Sequence, residues 1–322
     1  MKTVFGPVPS RRLGQSLGID PIPLKTCNWN CVYCQLGRTM PITNERKAFF
    51  DPELILAETA EALKSHQPGE IDWVTFIGSG ETTLDINLGY LIREVKKLTP
   101  LPIAVITNGS LLYKPEVRQD LLPADAVMPS FDAGNEALYR KINRPHPDLT
   151  FERLVEGLIA FRQEYAGNLW IEVMMVRSMN DSEAALEELA VWFERIHPDE
   201  IHILQPTRPP VEVWVEPADQ EGIIRAQAIL GKAAKIVVPV EGSFDIGDSA
   251  DLVEAITNIV TRHPMRQHEV IEVLRDNFVE NIPEALAMLE KSKKVKVVLR
   301  NNEHYWIASE THFPENGNSK EV

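Results

Sequence analysis

Three cysteines, Cys27, Cys31 and Cys34, are the only ones in a chain of 322 residues, and they fall within eight positions of one another. Their spacing is C-x3-C-x2-C. Three thiolates on one tight loop suit an iron–sulfur cluster with one iron left open. No fourth cysteine exists, so the open iron must be capped by something other than a protein thiolate. A structural zinc is normally closed by four protein ligands. A Cys3His zinc site would need a nearby histidine, and the first in the sequence is His66. An odd, clustered set of thiols also argues against a disulfide framework and for a reducing compartment.

The elements that must position this loop read as α/β. Apolar strand-like runs at 16–22, Trp73–Ile77, Ile103–Thr107, Ala126–Pro129, 169–176 and 200–205 alternate with helical patterns. The helices fall at Pro52–Ser65 (with Asp51 as N-cap), Leu88–Leu98, Glu136–Ile142, Phe151–Glu164 and a segment capped by Asp181. Repeated strand–loop–helix units predict a parallel sheet covered on both faces. About six units fit before residue 240, so the expected fold is a partial (β/α)6 TIM-like barrel over 1–240. In such a barrel, chemistry collects on loops after the strand C-termini. Residues 241–310 differ. Helices near 252–262, 267–277 and 282–291, then strands at 295–300 and 304–308, predict a small winged-helix-like α+β domain. The polar segment 311–322 is expected to be disordered.

The chain is 44% hydrophobic with a net charge of −14. An acidic surface does not attract nucleic acid or anionic lipid over long range. No apolar run approaches the ~20 residues of a membrane span, and the N-terminus lacks an apolar signal core. A cytoplasmic protein is expected.

The cysteine motif, after one short strand and before a barrel-like run, resembles the radical S-adenosylmethionine (radical SAM) superfamily. That resemblance implies a [4Fe–4S] cluster on Cys27, Cys31 and Cys34, with the amine and carboxylate of S-adenosylmethionine on the open iron. One electron, from a flavodoxin or ferredoxin, would cleave the cofactor to a 5′-deoxyadenosyl radical that abstracts hydrogen from a substrate. It implies that Tyr33 lies against the adenine. Gly78-Ser79-Gly80-Glu81 resembles the family's GGE-type turn, which binds the cofactor's amino group. It departs from the pattern at Ser79 and Thr82, and Glu81 either contacts the cofactor or braces the loop. Ser130 and Asp132 would meet the ribose or methionyl carboxylate, Asp132 alternatively capping a helix. Asn108 stands either at the site or in a plain Asn-Gly turn. Asn180 would contact the ribose, and Gln205 would offer backbone to the adenine.

The segments FGPVPSRRLGQSLGIDPIPLKTCNWNCVYCQLGRT, SFDAG, INRPHPDLTFERL, EVMMVRSMNDSE and QPTRPPVE resemble an Fe–S oxidoreductase branch near the enzymes that build the tricyclic wybutosine base of tRNA. Those enzymes carry extra cysteines for a second cluster, absent here, so their activity is not carried over. The substrate classes left open are a small metabolite, a peptide or protein, and a modified tRNA.

Arg11, Arg12, Lys25, Arg38, Arg144, Arg177 and Arg208 fall near loops that flank the cluster or follow strands. They form either a cationic mouth for an anionic substrate or rim ion pairs. Arg12, Arg144, Arg177 and Arg208 are the substrate candidates, and Pro145 would stiffen the Arg144 loop. His146 and His202 are either proton donors or structural. A rival reading is an iron–sulfur redox sensor whose winged-helix-like domain binds nucleic acid or protein. It would use Lys291, Lys293, Lys294, Lys296 and Arg300, against Asp276, Glu280, Glu284 and Glu290.

Overall fold

In the computed structural model, residues 2–238, 244, 252–277, 279, 281–300 and 302–311 are described. The expected boundary near 240 and the segment 312–322 lie outside them. Eight strands pair in chain order: β1 (Val4–Ser10), β2 (Gly14–Ile19), β3 (Trp73–Phe76), β4 (Ile103–Thr107), β5 (Ala126–Pro129), β6 (Asn168–Met174), β7 (Glu200–Leu204) and β8 (Ala234–Ile236). The pair β1–β2 is antiparallel, and all later neighbours are parallel. Six helical crossovers join the parallel strands: α1 (Pro52–Ser65), α2 (Leu88–Leu98), α3 (Pro115–Leu121), α4 (Glu136–Ile142) with α5 (Phe151–Glu164), α6 (Glu183–Ile196) and α7 (Gln220–Leu230). Strands β1 and β8 do not pair with each other among the described residues, so the barrel is partial.

The period of two along each strand sorts the side chains. Leu17, Ile19, Val74, Phe76, Val105, Ile171 and Val173 are fully buried in the core shared with the helices. Ser16, Gly18, Thr75, Ile106 and Glu172 point the other way and line an interior cavity. Small and polar residues on that face leave space where a TIM barrel normally packs large side chains.

Several expectations need correction. Pro7 and Pro9 hid β1, because proline removes ladder donors; the strand survives at an edge with a bulge between Phe5 and Val8. Strand β8 is only three residues long and was missed. The strand expected at 16–22 ends at Ile19, because Asp20 turns to bind the next strand end. The one expected at 169–176 ends at Met174. The cap of α6 is Ser182, whose side chain accepts from Ala185 N, while Asp181 accepts from Ser178 N at 2.8 Å.

After residue 251 come α8 (Leu252–Arg262), β9 (Met265–Arg266), α9 (Gln267–Asp276), α10 (Ile282–Lys291), β10 (Val295–Arg300) and β11 (Glu303–Ala308). The three strands form an antiparallel sheet in the order β10–β11–β9. Its core, around Ile256, Val260, Met265, Val273, Leu274 and Trp306, also contains Phe5 and Val8 of β1. The first strand therefore joins the C-terminal unit to the barrel. No helix among the described residues is long and apolar enough to cross a membrane.

Below the turn at Thr82–Leu84, Asp85 is fully buried. One oxygen accepts from Asn87 N at 2.6 Å, a bond that only partly offsets the cost of burying the charge. Burial pushes its carboxyl from 3.8 to about 6. The folded state thus holds this proton more tightly than the unfolded chain, and the resulting stability is lost as pH rises from about 4 through about 6. Asp85→Asn is expected to be more stable than wild type at neutral pH by roughly 1–2 kcal/mol, with the gap closing near pH 4. Urea unfolding of both proteins across that range checks this, and a gap independent of pH would contradict it.

Candidate active site

The cysteine loop leaves the C-terminal end of β2 and is pinned on every side. Lys25 N donates to Ser79 O at 2.7 Å and Glu81 N to Thr26 O at 2.9 Å, tying the loop to the end of β3. Val32 N donates to Ile142 O at 2.9 Å and Val211 N to Cys34 O at 3.0 Å. Trp29 is buried edge-on against Tyr139, with ring centroids 5.4 Å apart. Asn28, fully buried, donates to Ser110 Oγ at 2.9 Å and accepts from Asn108 Nδ2 at 2.7 Å.

Each sulfur has donors aimed at it. Cys27 Sγ accepts from Trp29 N at 3.4 Å and lies 3.9 Å from Asn108 Nδ2. Cys31 Sγ lies 3.8 Å from Asn143 Nδ2, and Cys34 Sγ lies 3.3 Å from Lys25 Nζ. Donors of this kind stabilise ligating sulfur and tune a cluster's potential. Burial pushes the Cys27 thiol up to about 12 and the Cys31 thiol well above its usual range. Thiolates here therefore require a cationic partner such as cluster iron. All three cysteines line one cavity of about 560 Å³. Among the described residues no three His, Cys, Asp or Glu side chains gather as a single-ion site. Three thiols, no fourth, and room beside them fit a cluster with an open iron.

Of the other candidates, Tyr33, Gly78, Gly80, Glu81, Asn108 and Ser130 line this cavity. So do Gln205, Arg12 and Arg208. Ser79, Asp132, Asn180, Arg144 and Arg177 are not among its walls, and each has a visible reason. Ser79 is buried and donates from Oγ and N to Asp20, at 2.5 and 3.0 Å. Asp132 is 2% exposed and accepts from Tyr33 Oη at 2.5 Å, Asn143 Nδ2 at 2.6 Å and Met174 N at 2.8 Å. It is not a helix cap; Asn135 caps α4. Burial raises its carboxyl to about 6, and it orients Tyr33, whose ring faces the cavity. Asn180 is fully buried, donating to Asp132 O and Met174 O at 2.9 Å each and accepting from Val176 N at 2.8 Å. It stitches the ends of β5 and β6 together.

Glu81, 1% exposed, braces the turn: it accepts from Thr83 N at 2.9 Å, Thr107 Oγ1 at 2.5 Å and Asn108 N at 2.6 Å. Gly80 is required by packing, because a Cβ there would sit 1.9 Å from Thr26 O. Gly80→Ala is expected to push the cysteine loop away, destabilising the protein by about 2–3 kcal/mol and lowering retained iron. Urea unfolding and iron analysis check this, and wild-type values for both would contradict it.

The arginines divide. Arg144, at φ +46°, pairs with Glu212 at 2.5 Å, and Arg38 reaches the same carboxylate at 3.3 Å. Arg177 pairs with Glu216 at 2.9 Å on the outer rim. Arg12 lines the cavity but is ion-paired with Glu172. His202 is held by Glu200 at 2.8 Å and His146 lies 3.5 Å from Asp148, and neither histidine lines the cavity. Sequence reading missed Asn143, Asn28, Thr107 and Asp20. Asn143 sits in the Asn-Arg-Pro-His motif that drew attention to Arg144, and it is the asparagine, not the arginine, that reaches the cysteines.

The family described as the Radical SAM superfamily matches residues 22–190, just over half the chain. The chain belongs to that superfamily. The UPF0026 protein MJ1312 of Methanocaldococcus jannaschii is 40% identical over 285 residues, covering 87% of this chain and 88% of its own length. A protein named GTPase Obg from Brachyspira hyodysenteriae is 38% identical over 298 residues, 92% of this chain but 43% of its own length. The present chain carries no G-x-x-x-x-G-K-S/T phosphate loop, so the GTPase name belongs to that longer protein. A radical SAM methyltransferase from Sphaerobacter thermophilus superposes with a TM-score of 0.50 at 19% identity, over 69% of this chain and 66% of the other, showing the shared fold. This radical SAM enzyme uses a [4Fe–4S] cluster and S-adenosylmethionine.

Proposed function

We propose that this radical SAM enzyme abstracts hydrogen from an anionic substrate held in the cavity lined by its three cysteines. When bound, the reduced cluster supplies the electron that splits S-adenosylmethionine into methionine and a 5′-deoxyadenosyl radical. The single observation that carries the reading is that all three thiols and several arginines line one cavity. Cys27, Cys31 and Cys34 are the iron ligands. Tyr33, Gly78, Gly80, Asn108, Ser130 and Gln205 would hold the cofactor. Asp132, Asn143, Asn180 and Glu81 act one layer out, holding those groups in place. Unpaired thiols suit the reducing cytoplasm, with a flavodoxin or ferredoxin as electron donor.

The helix–strand–helix–helix–hairpin order of residues 252–311 supports a winged-helix reading. Against a nucleic-acid role for this unit, two of the five basic residues read for that role, Lys296 and Arg300, are tied to backbone carbonyls, while Lys291, Lys293 and Lys294 are exposed. Arg300 donates to Val213 O and Val215 O, at 2.9 and 2.6 Å, and Lys296 to Thr311 O at 2.7 Å.

The test is anaerobic reconstitution with iron and sulfide, then dithionite and S-adenosylmethionine, with chromatography for 5′-deoxyadenosine. Product formed in proportion to enzyme is expected. Protein loaded with about four irons per chain that forms none, and that is retained on heparin, would favour the sensor instead.

A further inference from the structure

We propose that the C-terminal unit completes the substrate site, and that Arg11 and Arg208 at its seam with the barrel bind an oxyanion of the substrate, a carboxylate or a phosphate. This rests on the radical reading for what the substrate undergoes, but the anion site stands on its own geometry. Arg208 follows β7. Its Nε donates to Pro264 O at 3.0 Å and its Nη1 to Gln35 Oε1 at 3.3 Å, while Nη2 contacts His263 Nε2. The Arg11 side chain, at the β1–β2 turn, has one hydrogen-bond partner among the described residues, the Thr207 hydroxyl. No carboxylate pairs with either guanidinium among the described residues.

The other arginines on this wall are compensated. Arg12 pairs with Glu172, Arg262 with Asp20 at 2.7 Å and Arg266 with Glu303 at 3.4 Å. The nearby carboxylate of Glu269 is committed to Arg266 N at 2.6 Å in the capping box of α9. Glu272 is exposed, and His268 leans on Glu303 at 3.3 Å. Two half-buried positive charges thus face the cavity with no carboxylate in ion-pair contact, Glu269 acting on both and Glu172 on Arg11 only at longer range, and an entering anion would offset the cost of burying them. Burial lowers both, helped by repulsion from Arg12 on Arg11 and from Arg11 on Arg208, which falls to about 9, and burial beside these two cations holds His263 neutral. Each terminal nitrogen of Arg208 keeps a second hydrogen beyond those used above, and a guanidinium fork suits a two-oxygen acceptor. Arg11, Arg208 and the C-terminal residues His263, Arg266 and Glu269 line the same cavity as the three cysteines. A substrate gripped at the seam is therefore in the same chamber as the cluster ligands.

Equilibrium dialysis of the reconstituted full chain against radiolabelled pyrophosphate, and in a second arm radiolabelled malonate, tests this without turnover. Saturable binding of at least one probe is expected, weakened about tenfold or more in Arg208→Gln and in Arg11→Gln, a loss of one charge-assisted hydrogen bond or more. Lys97→Gln, on the outer face of α2, is the control and should bind as wild type. Arg11→Gln removes only the Thr207 contact, so it remains informative if Arg208→Gln loosens the seam. The probe that binds distinguishes phosphate from carboxylate. No saturable binding of either probe, or equal affinity in wild type and both arginine variants, would overturn the proposal. Intact anion binding beside absent 5′-deoxyadenosine would sink the radical reading alone.

Discussion

Cys31→Ala is expected to fold normally yet to hold far less iron after reconstitution than the wild type, and to form no 5′-deoxyadenosine above background. Only three cysteines exist, so no spare thiol can take over the vacated iron. Replacing a residue that orients a metal ligand typically costs about 10–100-fold, and removing a ligand should cost at least the upper end of that range. The fold should survive because Cys31 is only partly buried and faces the cavity. The loop keeps its bonds from Asn30 N to Asn143 O and from Val32 N to Ile142 O. Iron per chain, visible absorbance and product formation report the loss, and circular dichroism reports the fold. Wild-type iron content in this variant would refute the ligand assignment.

Asp20→Ala is expected to destabilise the protein by about 3–5 kcal/mol, the cost of leaving a buried charge without its partner. Asp20 is 1% exposed. One oxygen accepts from Ser79 N, and the other from Ser79 Oγ at 2.5 Å and Arg262 Nε at 2.7 Å. Arg262 also donates to Lys2 O at 2.8 Å and stacks 5.0 Å over the Phe5 ring. One carboxylate thus joins the end of β2, the turn after β3 and helix α8. Its removal strands a guanidinium between the barrel and the C-terminal unit, and frees the turn that holds Thr26. The double variant Asp20→Asn, Arg262→Met should be less damaged than Asp20→Ala, because neither charge remains. Urea unfolding measures both. A loss within about 1 kcal/mol for Asp20→Ala would show that the pair contributes little.

The parallel order of the sheet and the crossovers through α1, α2, α4, α5 and α6 were legible because the strands are continuous apolar runs ended by Gly, Asn or Ser; α3, seven residues long with no side-chain cap, and α7 were not. Strand β1 was not, because Pro7 and Pro9 mask an edge strand whose partners lie both in β2 and in the C-terminal core. The gathering of the three thiols at one cavity was legible from spacing alone. The division of labour among polar neighbours was not. Glu81, Asp132 and Asn180 all sit at strand ends, as cofactor contacts would, yet their side-chain atoms bond to backbone and to neighbouring protein side chains. That difference depends on which way each side chain turns, and strand position alone does not determine it. The arginines show the same limit. Arg144 and Arg177 resemble Arg208 in sequence context, but Glu212 and Glu216, brought close by the loop after β7, neutralise them.

The most direct measurement is electron paramagnetic resonance of the dithionite-reduced, reconstituted protein, with and without S-adenosylmethionine labelled with a magnetic nitrogen isotope at the methionyl amine. A reduced [4Fe–4S] signal that shifts when the cofactor is added, with hyperfine coupling to the labelled nitrogen, is expected for a cluster whose open iron takes the amine. A cluster signal unchanged by the cofactor, or a metal that gives no such signal, would contradict the assignment of Cys27, Cys31 and Cys34 to a radical SAM cluster.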